Sequence, residues 1–370
     1  MTSFGPTELL RRAGAFTLLP QALARMNGAM TLARLTLDKA PVPVAPSPAT
    51  IIATEGAARL YRYDAMPGVA ARDPILLAPS LINRLYVLDL KEGISVVEAL
   101  RKAGHRVYGI DWGEPGPAEH GLGFEGFVQR LSRFVDATCS DVKTPKLHLL
   151  GHCLGGTLAT ALAATDGDRI QTLINLTAPL SFHDDGLLSK WTRAPFFDPE
   201  VVVAALGHVP PWITQPAFNV LKPMGQPVKA LRLFQALDKP AGELHQFLEV
   251  FRCLETWIND NVSIPDRFFI DLVGSLYRRD ALAKGELRFA SGPVQLDQVR
   301  VPVFTIAAAE DHIVPPSSAV EVARRFTNPH SKIEVLPGGH IGVVVGGLGR
   351  KRLWPALIAW MDEQRLGGAA

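Results

Sequence analysis

From residue 75 onward, short apolar runs alternate with stretches whose apolar positions recur every three to four residues. The runs 75–77, 107–110, 147–150 and 170–176 read as buried strands, and 96–103, 127–138 and 157–164 as amphipathic helices between them. Strands of this length alternating with helices predict a mostly parallel α/β sheet with helices on both faces. The rhythm stops near Pro179. From there to about Gly292 the chain is rich in Phe, Trp, Leu and Pro, with helical periods at 201–206, 228–237, 244–259 and 267–277 and no clear strand. Runs at 301–308 and 333–336 resume the sheet, and 353–364 supplies a last amphipathic helix. The predicted organisation is an N-terminal helical arm with its linker (1–48), a first core part (49–178), a helical cap insertion (179–292) and a second core part (293–370).

The arm reads as one or two helices over 6–37, with an apolar face that includes Leu9, Leu10, Phe16, Leu19, Leu23 and Met26, followed by the proline-rich stretch 39–48. The face is modest and lacks a basic stripe, so packing against the core is the simplest role; docking to a partner subunit or a lipid-like surface are the alternatives. Arg11 and Arg12 precede apolar residues as in an export signal, but Pro20 and Arg25 interrupt the run and no small-residue cleavage site follows. No stretch reaches the ~18 apolar residues of a membrane span. With 47% hydrophobic and 20% charged residues, the 370-residue chain can bury a large core, which excludes a disordered protein. Lys+Arg 38 against Asp+Glu 36 leaves a net charge of +2, too balanced for a dedicated nucleic-acid binder. Cys139, Cys153 and Cys253 show no paired spacing, so neither a disulfide scaffold nor a zinc site is indicated, and a reducing cytoplasm fits.

The run 147–150 leads directly into Gly151-His152-Cys153-Leu154-Gly155-Gly156, and a helix of small and apolar residues follows. This is the strand, sharp turn and helix of a G-x-nucleophile-x-G elbow, with cysteine as the nucleophile. Side chains at 151 or 155 would collide with the neighbouring strand and helix, which explains both glycines. The helix N-terminus after the turn favours thiolate over thiol. Cys139 and Cys253 lack flanking glycines and read as packing residues. A triad then needs an acid and a base, in that order, on loops after later strands. The loop after 303–309 carries Glu310, Asp311 and His312, and the loop after 333–336 carries Gly339-His340. His340 is the candidate base and Asp311 the candidate that orients it, with Glu310 and His312 competing for the acid position. His152 is either a functional neighbour of the cysteine or a cover for the elbow. The oxyanion hole is assigned to the backbone N–H groups of Leu154 and, from the loop after 75–77, Ile82.

These residues belong to a set of ordered motifs that resembles the polyhydroxyalkanoate synthases, in particular the class III catalytic subunit, from about Ala58 to the C-terminus. The motifs are RLYRYD (59–64), INRLYVLDL (82–90), IDWG (110–113), GHCLGG (151–156), AKGEL (283–287), EDHIVPP (310–316) and GGHIGVVV (338–345). The resemblance implies an α/β-hydrolase fold in which Cys153 carries the growing acyl chain, His340 activates the cysteine and the incoming hydroxyl, and Asp311 supports hydroxyl activation. It implies (R)-3-hydroxyacyl-CoA as substrate, CoA as product and no separate cofactor. It also implies a cytoplasmic location at the surface of polyester granules, with a non-catalytic synthase subunit and a homodimer among the expected partners. His152 and Leu154 depart from the class III pattern of an aliphatic residue and Gln around the cysteine, and Leu154 resembles classes I and II. The arm has no class III counterpart. The alternative activity is a cysteine-dependent thioesterase or esterase that makes no polymer. A thioester on cysteine keeps the acyl group activated for a hydroxyl, provided water is kept away. The aromatic insertion, with Trp191, Phe196, Phe197, Trp212, Phe218, Phe234, Phe247, Phe251 and Trp257, suits a lid.

Overall fold

The computed structural model describes residues 42–221 and 225–365, so the helices expected over 6–37 lie outside the described residues. The described residues divide into two compact units, 44–221 with 257–365, and 42–43 with 225–256. The first contains an eight-stranded sheet: β1 (Ala49–Glu55), β2 (Ala58–Tyr63), β3 (Arg72–Ala78), β4 (His105–Asp111), β5 (Leu147–His152), β6 (Ile170–Leu176), β7 (Val303–Ala308) and β8 (Lys332–Leu336). The strands lie in the order β1-β2-β4-β3-β5-β6-β7-β8. Strands β3 to β8 run parallel, while β1 and β2 form an antiparallel hairpin at one edge. Central strands β5 and β6 are buried along their whole length, as a parallel sheet covered on both faces requires.

The edge hairpin is absent from the sequence reading, which finds no strand before residue 75. β1 is a half-exposed edge strand whose Ile51, Ile52 and Ala53 are flanked by Thr50 and Thr54 and follow directly on the proline-rich stretch. β2 does alternate, with Ala58, Leu60 and Tyr63 buried and Arg59 exposed, and Gly56 at φ +58° makes the turn. Helices α1 (Val96–Lys102), α2 (Phe124–Val142) and α3 (Leu154–Thr165) follow β3, β4 and β5. α2 buries Phe124, Phe127, Val128, Leu131, Phe134 and Val135 at three- and four-residue spacing, and Lys143, in the left-handed region, ends it. α3 starts at Leu154, three residues before the first expected helical residue. Gly155 and Gly156 are poor helix formers but fit a helix that presses on its neighbours.

No described residue between β6 and β7 joins this sheet. The helices there are α4 (Leu187–Thr192), α5 (Pro199–Leu206), α6 (Pro211–Leu221), α7 (Gly225–Ala236), α8 (Ala241–Asn259), α9 (Asp266–Asp271) and α10 (Ala281–Lys284). α9 continues directly into a π-helical stretch, Leu272–Arg278, where the sequence reading has one unbroken helix over 267–277. Periodicity does not distinguish a π turn from an α turn over so short a span. The second unit has its own small cluster of Ala236, Leu244 and Leu248 with Leu233 and Phe247 against it. Helices α11 (Pro316–Ala323), α12 (Gly342–Val345) and α13 (Trp354–Glu363) complete the first unit.

Candidate active site

Strand β5 ends at His152, Cys153 follows at φ 55° and ψ −130°, and α3 begins at Leu154. A non-glycine residue seldom adopts this conformation, and such strain persists only where the surroundings enforce it. Here the enforcement is visible. Cys153 N–H donates to the Leu176 carbonyl of β6 at 3.0 Å, and Gly156 N–H donates back to the Cys153 carbonyl at 2.9 Å. A Cβ at Gly155 would strike the backbone carbonyl oxygens of Ala78 and Pro79, and one at Gly151 would strike the Gly156 backbone. The small residues therefore let α3 sit against β3 with the cysteine at the bend.

The loops after β7 and β8 bring Asp311 and His340 together. His340 Nδ1–H donates to Asp311 Oδ2 at 2.6 Å. The other carboxylate oxygen, Oδ1, accepts the backbone N–H groups of Ile313 and Val314, each at 2.9 Å, so the acid cannot turn away. Both side chains are buried, Asp311 completely. The Cys153 sulfur lies near enough to the same ring to act on its titration. Burial opposes a charged imidazole, but the Cys153 sulfur and the Asp311 carboxylate outweigh it and raise the pKa of His340 to about 10. Of the competing acids, Glu310 and His312 are exposed, and neither shares a hydrogen bond with His340. His152 is buried beside the ring of His340, centroid to centroid 5.4 Å, with both of its own nitrogens unpartnered. Burial, with the neighbouring His340 charge adding, lowers its pKa to about 3, so it stays neutral.

Cys153 opens onto a cavity of about 180 Å³ that Ile82 and Leu154 also line. The rest of its wall is mostly apolar and comes largely from α4, α6, α9 and the π-helical stretch, with Trp191, Phe197, Ile213, Phe218, Phe269 and Leu272 among the residues. Three of the aromatic residues singled out from the sequence thus face the cavity. Others do not: Phe196 and Trp212 are exposed, Phe247 and Phe251 stack on one another, and Trp257 donates its ring N–H to the Arg84 carbonyl. Tyr277 also lines the cavity, and nothing in the sequence marks it. At the start of α3 the Leu154 N–H has no acceptor within its own helix. Ile82 N–H has only a long 3.5 Å contact to Ser80 Oγ. Cys139 and Cys253 are buried elsewhere, and burial raises the pKa of Cys139. Among the described residues one group, His120, His208 and Asp266, has metal-ligand types close together. Its imidazoles stack at 4.3 Å with 20° between planes, and a metal ~2 Å from each nitrogen cannot lie in both ring planes. His208 moreover uses both nitrogens, on Asp266 N–H and the Gly116 carbonyl.

Comparison with known proteins agrees with this geometry. The family model of the alpha/beta hydrolase fold matches residues 73–215. A poly(3-hydroxyalkanoate) polymerase subunit PhaC of Thiocystis violacea is 30% identical over 329 residues, 86% of this chain and 89% of that protein. The chain belongs to the poly(3-hydroxyalkanoate) polymerase PhaC family. A relative of the same name from Haloferax mediterranei is 31% identical over 87% of this chain, which spans 65% of that longer protein. Among solved structures, a hydrolase from Pseudomonas aeruginosa PA01 superposes with a TM-score of 0.54 at 18% identity, covering 85% of this chain and 98% of its own. That likeness is one of fold. The α/β-hydrolase fold, with its mostly parallel sheet, is the architecture of this family member.

Proposed function

We propose that the chain polymerises (R)-3-hydroxyacyl units from CoA thioesters through an acyl-enzyme on Cys153, with His340 as general base and acid and Asp311 as the group that orients it. One observation carries this reading: a single buried imidazole is hydrogen-bonded to a buried carboxylate and lies within electrostatic reach of a cysteine held at a strained elbow. The names of the family relatives supply the polymer chemistry.

In the first half-reaction the Cys153 thiol gives its proton to His340, and the sulfur attacks the thioester carbonyl. The carbon–sulfur bond to CoA breaks as His340 returns the proton to the departing thiolate, leaving CoA and an acyl-Cys153 thioester. In the second, His340 takes the proton of an incoming 3-hydroxyl and the oxygen attacks the acyl carbon. An ester bond forms, the bond to Cys153 breaks and its sulfur regains the proton. One thioester is exchanged for another in the first step, so the acyl group stays activated. The N–H groups of Leu154 and Ile82 are suited to the transient oxyanion, since one has no helical acceptor and the other only a weak one. The apolar cavity beside the sulfur supports a dry site in which hydroxyl competes well against water. The substrate itself brings the only cofactor-like group, CoA.

No described helix is long and apolar enough to cross a membrane. The working location of this reading is the cytoplasmic surface of a polyester granule. A non-catalytic second subunit is the expected partner, since the relatives are named as subunits. The test is incubation of purified protein, alone and with a candidate second subunit, with (R)-3-hydroxybutyryl-CoA, following free thiol and polymer mass together. Stoichiometric CoA release with high-mass polyester is the expected result. Free hydroxy acid without polymer under both conditions would overturn the polymerase reading in favour of a hydrolase.

A further inference from the structure

Three of the residues that line the cavity next to Cys153 carry a side-chain hydroxyl, Thr192, Thr214 and Tyr277, in an otherwise apolar wall. Two are committed to the backbone of their own helices. Thr192 Oγ1 donates to the Leu188 carbonyl at 2.8 Å, and Thr214 Oγ1 to the Pro211 carbonyl at 3.4 Å. The Tyr277 hydroxyl shares no hydrogen bond with any described residue. Its ring is fixed edge-on against Phe182, with centroids 4.8 Å apart, and the whole residue is 9% exposed. It lies close enough to Cys153 for the sulfur to act on it electrostatically, and burial raises its pKa far above the ordinary range, so it stays a neutral phenol. Tyr277 sits in the π-helical stretch Leu272–Arg278, and such irregular turns often aim side chains into functional sites.

We propose that Tyr277 is a specificity-determining residue whose hydroxyl hydrogen-bonds the C3 oxygen of the acyl chain carried on Cys153, so that the cavity selects 3-oxygenated acyl groups over plain fatty acyl groups. This rests on the acyl-enzyme reading above. The chemistry of the group fits both states of the chain. A phenol both donates and accepts, so it pairs with the free 3-hydroxyl of a newly loaded unit and with the ester oxygens once that hydroxyl has been joined to a neighbour. The rest of the wall offers an alkyl chain only apolar contact, which discriminates poorly between acyl groups of equal length. A single oriented hydroxyl supplies the missing discrimination.

The test compares Tyr277→Phe with the natural protein in single-turnover acylation by (R)-3-hydroxybutyryl-CoA and by butyryl-CoA. Phenylalanine keeps the ring contact with Phe182, and an unchanged thermal melt verifies the fold. The expected result is an approximately tenfold loss of acylation efficiency with the hydroxyacyl substrate and none with butyryl-CoA, the size of one hydrogen bond between neutral groups. If butyryl-CoA reacts too slowly to follow, its inhibition constant against the hydroxyacyl substrate is the second readout and should not move. Equal losses with both substrates, or no loss with either, would overturn the role of Tyr277. Cys153→Ala separates this from the reading beneath it. Continued CoA release in that variant would remove the acyl-enzyme itself, whereas a dead Cys153→Ala beside an indifferent Tyr277→Phe would remove only the specificity role.

Discussion

Strand β5 buries a histidine near each end, and both behave differently from the histidine of the site that its C-terminal end borders. Near its N-terminal end, His148 is wholly buried, bonded through Nδ1 to the Thr172 hydroxyl at 2.8 Å, with Nε2 unpartnered and 4.0 Å from Asp73. Burial, with His105 adding, lowers its pKa to about 4. At the C-terminal end, His152 is also buried and has neither nitrogen partnered, and its pKa falls further. His340 lies against His152 yet is shifted in the other direction. Neither burial nor proximity to the elbow makes a histidine chemically useful here. What separates His340 is a carboxylate hydrogen-bonded to one nitrogen and the Cys153 sulfur near enough to favour its charged form.

The comparison breaks most sharply at Asp311. Asp311→Asn keeps the size of the side chain but removes the charge that supports the imidazolium, and acylation should fall about a thousandfold or more, as in other nucleophile–histidine–acid sites. Stopped measurements of CoA release read this directly, and a variant within tenfold of the natural protein would mean the pairing is structural. The elbow comes next. Gly155→Ala pushes a Cβ onto two backbone carbonyls that have no freedom to move, and about 3 kcal/mol of stability should be lost in denaturant unfolding. A loss under ~0.5 kcal/mol would show that α3 can retreat from β3. The smallest effect lies at the other end of the sheet.

Because the folded pKa of His148 is depressed, the unfolded chain takes up its proton first as pH falls below ~6.5, and stability is lost from there down to about 4. His148→Gln removes that proton, so the slope of stability against pH in this window should flatten by about 1.4 kcal/mol per pH unit, with activity at neutral pH little changed. An unchanged slope would place the acid sensitivity elsewhere. The sign for His340 is opposite. Its raised pKa contributes stability that is complete below ~6.5 and disappears as pH rises through about 10.

Much of this is legible in the sequence because it is written locally. The elbow is one contiguous hexapeptide, the parallel strands are short apolar runs, and Asp311 and His340 each follow such a run. Between Asp311 and its competitors the structure is plain, since Glu310 and His312 are exposed and Asp311 is buried. The edge hairpin β1–β2 is hidden because an edge strand is half solvent-facing, and the short apolar run of β1 is set between threonines beside a proline-rich stretch. Tyr277 is hidden for a different reason. It looks like any aromatic at helical spacing, and only the three-dimensional wall of the cavity shows that its hydroxyl has nothing to bond. The uneven fate of the nine insertion aromatics makes the same point, since composition marks a lid-like segment but does not say which rings face inward.

The central claim is that the sulfur of Cys153 carries the acyl chain. Rapid acid quench of the protein with (R)-3-hydroxybutyryl-CoA, followed by peptide mass mapping, tests it most directly. The account predicts hydroxybutyryl mass on the peptide that contains Cys153 and on no other. Acyl mass on the Cys139 or Cys253 peptide, or turnover with no covalent adduct at any stage, would contradict it.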